Sequence, residues 1–479
     1  MLPRRTPRPS DLRADLSNPM PRPPSRRARA LFTMLALAAT ILALVASAHR
    51  TDPPQHLATP RTASTSDAAV LITLPTLNPE ATASELVAAS DAAGGALRLG
   101  FGREITTAAL PRPRGLTWRR LPDGRRTFAL RVRSPGAAGL RLALRTRGVP
   151  DSAELRFSTH DAAEAQTLPS ALINASLAAD AAAGSAEPLF WSPLMPGDTL
   201  TLRITLPAGI PPREIALEPA RLTHLVRLPG APAIGAHAGA TDPACQPSWD
   251  RQSRATTLLL YTSADGGTGA CTGTLVADAD PATAIPYVLT AHHCFPDQQR
   301  ASSVESFWLL RAETCGGPVS PGDSVPGGAD LLYRAKSTDT ALLRLRQPPP
   351  TRTAFVQHRA ILPTRGTETV GLHHPLAGPQ QLTRATVSGY KTCVEVDWCD
   401  DDADPEAIGY LRVEPRTGAT EAGSSGSGLF DAAGRVVGVL LGGSDTGGFD
   451  YYGRIGRPYS DGLARWLGPG APRGLRAAR

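Results

Sequence analysis

Short segments in which apolar and polar residues alternate recur through residues 100–227, and turn-forming residues separate them. A period of two is typical of a half-buried β-strand. Breaks such as Pro122-Asp123-Gly124 and Pro196-Gly197-Asp198 supply the turns between strands. This part of the chain is therefore predicted to form an antiparallel β-sandwich. Its predicted strands are Phe128–Arg133, Gly139–Arg145, Glu154–Ser158, Thr199–Thr205 and Glu214–Glu218.

A second series of short apolar strands occupies residues 244–470, which are enough residues for two six-stranded barrels. The stretch Ser460–Leu467 instead places Leu463, Trp466 and Leu467 at helical spacing, and it is predicted to cap this domain as a short helix. The predicted strands are Thr257–Tyr261, Thr272–Val276, Tyr287–Thr290, Ser306–Leu310, Ala341–Leu345 and Val436–Leu441.

The composition agrees with this reading. The chain has 45 glycines, 46 prolines and only 5% aromatic residues, which suits many short strands and turns better than long amphipathic helices. An all-β protein of at least two domains is expected. The net charge of +7 comes from scattered arginines without interleaved aromatic residues, so no nucleic-acid partner is expected.

The N-terminal residues have the layout of an export signal. Arg26, Arg27 and Arg29 precede an apolar run from Ala30 to Ala48 that ends in small residues. Residues 1–48 are therefore predicted to be a signal peptide, or an uncleaved N-terminal anchor as the alternative. The expected location is secreted, either extracellular or periplasmic. The six cysteines of an exported chain are expected to form disulfides.

The remaining boundaries follow from composition. A polar, proline-containing tether is predicted over residues 49–99, the sandwich over 100–227, an exposed linker over 228–243, the second domain over 244–470 and a disordered basic tail over 471–479. The sandwich contains no set of residues that indicates chemistry, so it is interpreted as a pro-region or accessory domain.

Three residues of the second domain have the types and the order of a serine-peptidase triad. His293, Asp339 and Ser425 occur in that order along the chain. A serine hydroxyl needs an imidazole to accept its proton and a carboxylate to orient the imidazole. The order His, Asp, Ser is that of the chymotrypsin-like double barrel. Asp330, which also precedes a strand, is the competing acid.

Glycines flank the predicted nucleophile Ser425 and permit a tight turn. The backbone N–H groups of Gly423 and Ser425 are predicted to form the oxyanion hole, and one such donor contributes about 3 kcal/mol. A metal site at His292 and His293 is the weaker interpretation, because adjacent side chains of a strand point to opposite faces. No metal or organic cofactor is expected.

The segments LTAHHC, STDTALLRL, TEAGSSGSG and DYYGR, in that order, resemble the bacterial lysyl endopeptidase family within the trypsin-like serine proteases. The resemblance covers roughly residues 241–467. It implies a chymotrypsin-like fold, the triad His293, Asp339 and Ser425, and cleavage after a basic residue. It also implies disulfides between Cys271 and Cys294 and between Cys245 and Cys315, which leaves Cys393 to pair with Cys399.

The same resemblance indicates the specificity residue. Trypsin carries its specificity carboxylate six residues before the nucleophile, where this chain has Ala419. The family instead places it at the start of the DYYGR segment, which corresponds to Asp450. Gly442 and Gly443 are then expected to form the backbone wall of the pocket, and Asp445 is the competing acid.

Two positions depart from the related proteases. The family has a histidine just before the paired glycines, but this chain has Leu441, so arginine is expected to be accepted as well as lysine. Ser424 replaces the aspartate with which trypsin binds its freed N-terminus, so activation through that ion pair is not available. No lysine precedes Lys336, and Arg227 is therefore the predicted point of self-cleavage.

The sequence thus predicts a secreted serine endopeptidase that hydrolyses peptide bonds after lysine, and also arginine, through an acyl-enzyme intermediate. Its partners are expected to be protein or peptide substrates, it is expected to be a monomer, and membrane contact is expected only through an uncleaved N-terminal segment. The alternative is a cell-surface binding protein with an inactive peptidase-like domain.

Overall fold

The computed structural model describes residues 69–78, 97–105, 117–212, 215–231, 241–280, 282–395, 398–401, 407–444 and 448–468. The predicted signal peptide, most of the predicted tether and linker, and the predicted tail lie outside the described residues. None of the helices within these ranges has the length and apolar character needed to cross a membrane.

The sandwich domain consists of strands β1–β11 and one helix, α1 (Ser170–Ala182). Strands β1, β3, β4, β6, β7 and β10 form one sheet, and β2, β5, β8, β9 and β11 belong to the facing sheet. The strands are β1 (Val70–Thr73), β2 (Leu97–Glu104), β3 (Arg119–Arg120), β4 (Arg126–Arg133), β5 (Gly139–Arg147), β6 (Glu154–Ser158), β7 (Ala165–Pro169), β8 (Phe190–Trp191), β9 (Met195–Pro196), β10 (Thr199–Leu206) and β11 (Ala216–Leu225).

The alternating pattern of the sequence accounts for the core of the sandwich. Inward residues such as Leu130, Leu142 and Leu202 are fully buried between the two sheets. Two predictions need correction here. The tether does not extend to residue 99, because β1 pairs in parallel with β4 and β2 pairs with β11. The last predicted strand is shifted, since β11 begins at Ala216 and continues past Pro219 through a bulge to Leu225.

Two further sets of strands form the barrel domain. The first barrel contains β12–β18, and the second contains β19–β25. These strands are β12 (Thr256–Thr262), β13 (Thr268–Val276), β14 (Tyr287–Ala291), β15 (Glu305–Trp308), β16 (Asp323–Val325), β17 (Ala329–Ala335), β18 (Thr340–Leu345), β19 (Glu368–His373), β20 (Gln381–Glu395), β21 (Trp398–Asp401), β22 (Tyr410–Thr417), β23 (Gly428–Phe430), β24 (Val436–Gly443) and β25 (Asp450–Arg454).

The second barrel is closed by pairing between its first two strands, β19 and β20, and β21 extends β20 as a hairpin. Short helices α2 (Asp250–Ala255) and α3 (Gln298–Ser302) flank the first barrel. The predicted C-terminal cap is helical, with α4 (Gly456–Pro458), a π-helical turn (Tyr459–Leu463) and α5 (Ala464–Leu467) in succession, and it buries Leu463 and Leu467. The predicted all-β class, with a sandwich before a double barrel, is confirmed.

Strand β13 joins the two domains into one continuous sheet. One edge of β13 pairs with β12 from Thr268 to Thr274. Its other edge pairs first with β2 of the sandwich, at Thr268–Ala270, and then with β14, at Thr274–Val276. Between these two pairings, Thr272 donates its N–H to the carbonyl oxygen of Ser425 at 2.8 Å. The edge of one strand therefore holds the sandwich, the predicted nucleophile and the strand before His293 in a fixed order.

A buried ion pair also crosses between the domains. Arg141 of β5 lies 3.4 Å from Glu305 of β15, and both side chains are at most 1% exposed. Arg141 also donates to the hydroxyl of Thr262 and to the carbonyl oxygen of Ser303. Glu305 accepts a hydrogen bond from the N–H of Leu194 in the sandwich domain. The domain boundary thus has the buried, hydrogen-bonded character of a protein interior.

Candidate active site

His293 and Asp339 are in direct contact. Nδ1 of His293 lies 2.6 Å from Oδ2 of Asp339, and the backbone N–H of His293 donates to Oδ1 at 2.8 Å. Asp339 is 3% exposed and has a left-handed φ of 44° between the 3-10 turn Lys336–Thr338 and strand β18. The two contacts fix the orientation of the imidazole ring, which is what an orienting acid does for a general base.

The competing acid, Asp330, lies in a different environment. Its carboxylate pairs with Arg344 at 2.8 Å and with Arg346 at 2.9 Å. These contacts satisfy both oxygens of Asp330, so Asp339 alone of the two acids is positioned against His293.

The surroundings of His293 favour its protonated form. Burial lowers the pKa of the imidazole, but the negative charge of Asp339 and the hydrogen bond to it raise the pKa by more. The net result is a pKa above the ordinary value of 6.5. Such a shift suits a base that must accept a proton and hold it during a reaction.

Ser425 lies in a turn, Gly423–Gly426, whose first and last residues are glycines with positive φ. Gly423 has φ of 93° and Gly426 has φ of 86°, a region that other residues rarely adopt. A Cβ atom on Gly426 would lie 2.3 Å from Oγ1 of Thr290, at the end of β14. The glycines therefore let the turn pack against the strand that leads to His293.

The turn leaves two backbone donors unused. Within the described part of the chain, the N–H groups of Gly423 and Ser425 have no hydrogen-bond acceptor. Those of the intervening and following residues do, because Ser424 donates to Glu421 and Gly426 donates to Leu440. Two free donors on alternate residues are the arrangement that an oxyanion hole requires.

No hydrogen bond joins Ser425 to His293 in this structure, because Nε2 of His293 has no partner among the described residues. Both residues are nevertheless tied to the same part of β13. Thr272 donates its N–H to Ser425, and the adjacent Cys271 forms a disulfide with Cys294, which follows His293. Hydrogen bonds between catalytic groups are often long before substrate binds and shorten afterwards.

Asp450, the predicted specificity residue, is 2% exposed at the start of β25. Its Oδ1 accepts a hydrogen bond of 2.6 Å from the hydroxyl of Thr420, whereas Oδ2 has no partner among the described residues. Burial raises the pKa of Asp450 to about 6, although the bond from Thr420 acts in the opposite direction. A buried carboxylate with a free oxygen is suited to a cationic partner.

The paired glycines lie beside this carboxylate. Gly443 is opposite Asp450 in the ladder between β24 and β25, and a Cβ atom at Gly443 would lie 2.1 Å from Oδ1 of Asp450. Gly442 is opposite Tyr451, and Leu441 and the half-buried Phe449 pack against the small apolar cluster that contains Tyr451. The structure thus brings these residues to one place, while Asp445 lies outside the described residues.

All six cysteines are paired. Cys245 is bonded to Cys315 and Cys271 to Cys294, the two pairings that the resemblance implies, and the remaining Cys393 is bonded to Cys399. Although Cys271, His293 and Cys294 form a close group, both of its sulfur atoms belong to a disulfide and are not thiolate ligands for a metal.

Several supporting residues were not identified from the sequence. Thr420 holds Asp450, His373 contacts Ser424, and Thr272 holds the turn Gly423–Gly426 that carries the predicted nucleophile, which we call the nucleophile turn. Each lies far along the chain from at least one of its partners, and none belongs to a spacing pattern. The only local signal is that Thr272 adjoins Cys271 of the disulfide next to His293.

The sequence is similar to those of known proteases in both of its domains. A sequence model of the lysyl endopeptidase C-terminal domain matches residues 236–453, and one of the lysyl endopeptidase N-terminal domain matches residues 73–226. Together they cover more than three quarters of the chain. A lysyl endopeptidase of Pseudomonas aeruginosa is 28% identical over an alignment of 416 residues, and the match covers 78% of this chain and 82% of the relative.

Solved structures of proteases resemble the fold more weakly. The active form of the Rv3671c protease from M. tuberculosis is 19% identical, with a TM-score of 0.34, and the match covers 52% of this chain and 97% of that one. The HtrA-type protease AlgW with a tripeptide is 17% identical, with a TM-score of 0.34 and coverage of 46% and 62%. Likenesses of this size carry no argument about the site.

Proposed function

The chain belongs to the lysyl endopeptidase family, whose members are serine endopeptidases, and we propose that it is an exported enzyme that cleaves proteins after lysine and arginine. One observation supports this specificity above all others. The carboxylate of Asp450 is buried beside Gly443, and its Oδ2 has no partner among the described residues. Asp450 lies on β25, which follows the nucleophile turn after the hairpin of β23 and β24. Burying an unpaired carboxylate is costly unless a cation joins it.

In the proposed mechanism Ser425 attacks the carbonyl carbon of the scissile bond. His293 accepts the hydroxyl proton at Nε2 and later passes it to the leaving amine, while Asp339 holds Nδ1 and stabilises the imidazolium. The N–H groups of Gly423 and Ser425 bind the oxygen of the tetrahedral intermediate. Water then hydrolyses the acyl-enzyme, with His293 again as the base.

Acceptance of arginine follows from the shape of the proposed pocket. Leu441 takes the position where the family has a histidine, so no second polar ring competes for the cationic end of the substrate side chain. A guanidinium can bind a carboxylate through two parallel hydrogen bonds, whereas an ammonium acts as a point charge. We therefore expect both kinds of basic side chain to reach Asp450.

Export is proposed from the N-terminal layout together with the disulfides. Three disulfides and no free cysteine are typical of a protein that matures in an oxidising compartment. The protein would then act in the periplasm or the medium, and it would meet its protein substrates there.

The test is digestion of a denatured protein of known sequence, with mass spectrometry of the new C-termini. We expect cuts after both lysine and arginine, and Ser425→Ala should lower the rate by about 10⁴-fold or more. Cuts after lysine alone would refute the proposed acceptance of arginine. Cuts after neutral residues would refute the role of Asp450.

A fluorophosphonate probe separates this proposal from the inactive-relic alternative. Its phosphorus bonds to the oxygen of an activated serine and fluoride leaves, so labelling requires a working nucleophile but no particular side-chain specificity. Wild-type protein should be labelled at Ser425, and Asp450→Asn should be labelled as well. A wild-type protein that is not labelled would be an inactive relic.

A further inference from the structure

Ser424, which directly precedes the proposed nucleophile, takes part in a buried chain of hydrogen bonds. Its hydroxyl lies 2.8 Å from Nδ1 of His373, and Nε2 of the same ring lies 2.8 Å from the hydroxyl of Thr383. The Ser424 oxygen also accepts the N–H of Glu421 at 3.1 Å. Ser424 and His373 are completely buried, and Thr383 is nearly so.

The ring of His373 is uncharged in this position. Burial lowers its pKa to about 3, and the neighbouring His374 adds to the effect. A neutral imidazole has one donor and one acceptor nitrogen, and a hydroxyl can serve either of them. Both hydroxyls can therefore bond the ring without any buried charge, whichever nitrogen carries the hydrogen.

The hydrogen bonds around Ser424 fix the turn that carries the two free donors. The hydroxyl of Thr272 donates to the carbonyl oxygen of Gly423 at 2.9 Å, and the N–H of Thr272 donates to the carbonyl oxygen of Ser425. The N–H of His374 in turn donates to the Thr272 hydroxyl at 3.1 Å. Gly423, Ser424 and Ser425 are thus each held by a hydrogen bond. His373 bonds Ser424 directly, and the next residue, His374, supports the Thr272 hydroxyl that bonds Gly423.

We propose that His373 is a positioning residue for the oxyanion hole: its hydrogen bond to Ser424 fixes the peptide units that present the N–H groups of Gly423 and Ser425. Trypsin fixes the same turn through an aspartate that must bind a freed N-terminus, and Ser424 stands in its place here. A neutral hydrogen bond needs no new N-terminus. The hole is therefore built by the fold itself and not by cleavage of the chain.

The inference rests on the proposed function and predicts a loss confined to the transition state. His373→Leu replaces the imidazole with an apolar side chain of similar volume and removes both hydrogen bonds. We expect kcat to fall about 30-fold, since loss of one oxyanion donor lowers kcat by about 10²–10³-fold and a displaced donor is lost only in part. The rate of fluorophosphonate labelling should fall by a similar factor.

Binding of the cationic side chain should be spared, because Asp450 and its partner Thr420 do not take part in the chain of bonds. We expect KM and the inhibition constant of benzamidine, a cation that does not react with the serine, to change by less than about twofold, since these report ground-state binding. His373→Asn, which places an amide where Nδ1 lies, should recover most of kcat.

A matched control is available on the same strand. Thr369 of β19 is buried and donates its hydroxyl to the carbonyl oxygen of Ala385 at 3.1 Å, away from the nucleophile turn. Thr369→Val removes a buried hydrogen bond at a similar cost in stability, and it should leave kcat and the labelling rate unchanged. If His373→Leu does not fold, Ser424→Ala breaks the same bond with a smaller loss of volume.

The proposal is overturned if His373→Leu or Ser424→Ala matches Thr369→Val in kcat and labelling rate. It is also overturned if benzamidine affinity falls as far as kcat, which would indicate a general structural defect. Failure of the proposed function has a different signature, because wild-type protein would then remain unlabelled or cut after neutral residues.

Discussion

At the scale of single residues, Asp450 combines a proposed function with a cost in stability. Its pKa of about 6 lies above the ordinary carboxyl value of 3.8, so the folded protein binds the proton more tightly than the unfolded chain does. Stability therefore decreases as the pH rises from about 4 to about 6, and the penalty is complete above that range. Residues arranged for binding a ligand are often unfavourable in its absence.

Asp450→Asn is accordingly expected to stabilise the protein at pH 8 while abolishing cleavage after basic residues. The gain has an upper limit of about 3 kcal/mol, from a difference of about two pKa units. Denaturant unfolding and kcat/KM for a lysine substrate check the two parts. Asp180→Asn is the opposite control, because Asp180 is buried and pairs with Arg346 at 2.6 Å, and its loss should destabilise the protein.

The pH dependence of activity should have two separable acid limbs. His293 must be neutral to accept a proton, and its pKa lies above 6.5, so kcat should decline as the pH falls through that raised value. Asp450 must be ionised to attract a cation, so benzamidine binding should weaken below about pH 6. Benzamidine binding can be measured in the Ser425→Ala variant, and kcat in the wild-type protein. If the two followed the same pH dependence, the assignment of one limb to His293 and the other to Asp450 would be wrong.

At the scale of elements, strand β13 positions the candidate site. Its edge contacts the sandwich strand β2, the nucleophile turn and the histidine strand β14 in sequence, and its Cys271 is bonded to Cys294. The disulfide and the sheet ladder restrain the turn that carries His293 from both ends. A displacement of 1 Å in a catalytic group can lower a rate by about 100-fold.

Replacing Cys271 and Cys294 together by serine should therefore lower both stability and kcat. The closed loop spans a sequence separation of 23, and its loss should reduce the free energy of unfolding by about 3 kcal/mol. The Cys393–Cys399 pair spans only 6, and its removal should cost about 2 kcal/mol without the same fall in kcat. Equal losses of kcat in the two variants would contradict the positioning role of the first disulfide.

At the scale of the whole molecule, the two domains share an interior. Leu99 and Leu225 of the sandwich pack with Leu258 and Leu260 of the first barrel, beside the buried pair of Arg141 and Glu305. Arg227, the predicted point of self-cleavage, is half-buried, and its guanidinium donates to the carbonyl oxygen of Leu376. Cleavage after Arg227 therefore requires this contact to open.

Arg141→Ala should destabilise the full chain by about 3–5 kcal/mol, because it leaves Glu305 as an unpaired buried charge. The control is Arg133→Ala, which breaks the ion pair with Asp198 in which the side chains are 52% and 32% exposed, and it should cost less than about 1 kcal/mol. Denaturant unfolding of both variants tests the difference. Equal losses in the free energy of unfolding would contradict the conclusion that the ion pair of Arg141 and Glu305 is buried as in a protein interior.

The sequence alone predicted 11 of the 25 strands in the described residues, together with the triad candidates and the specificity residue of the candidate site. Strand β6 has the predicted bounds, and the predicted segments in β4, β10, β12 and β18 lie within one or two residues of the observed ends. Alternation of burial is a local property, so a local pattern can reveal it. The candidates His293, Asp339, Ser425 and Asp450 were found from their order and from family motifs, which need no geometry.

The tertiary structure alone decided which distant groups meet. Thr420 against Asp450, His373 against Ser424, and Arg141 against Glu305 are pairings between strands and turns whose contact depends on which sheet edges come together. The pattern of Thr272–Val276 predicts a strand within β13, but it contains no information that β2 of the sandwich would pair with the edge of that strand. Partner choice at a strand edge is made by backbone groups that every sequence shares, so only the folded chain specifies it.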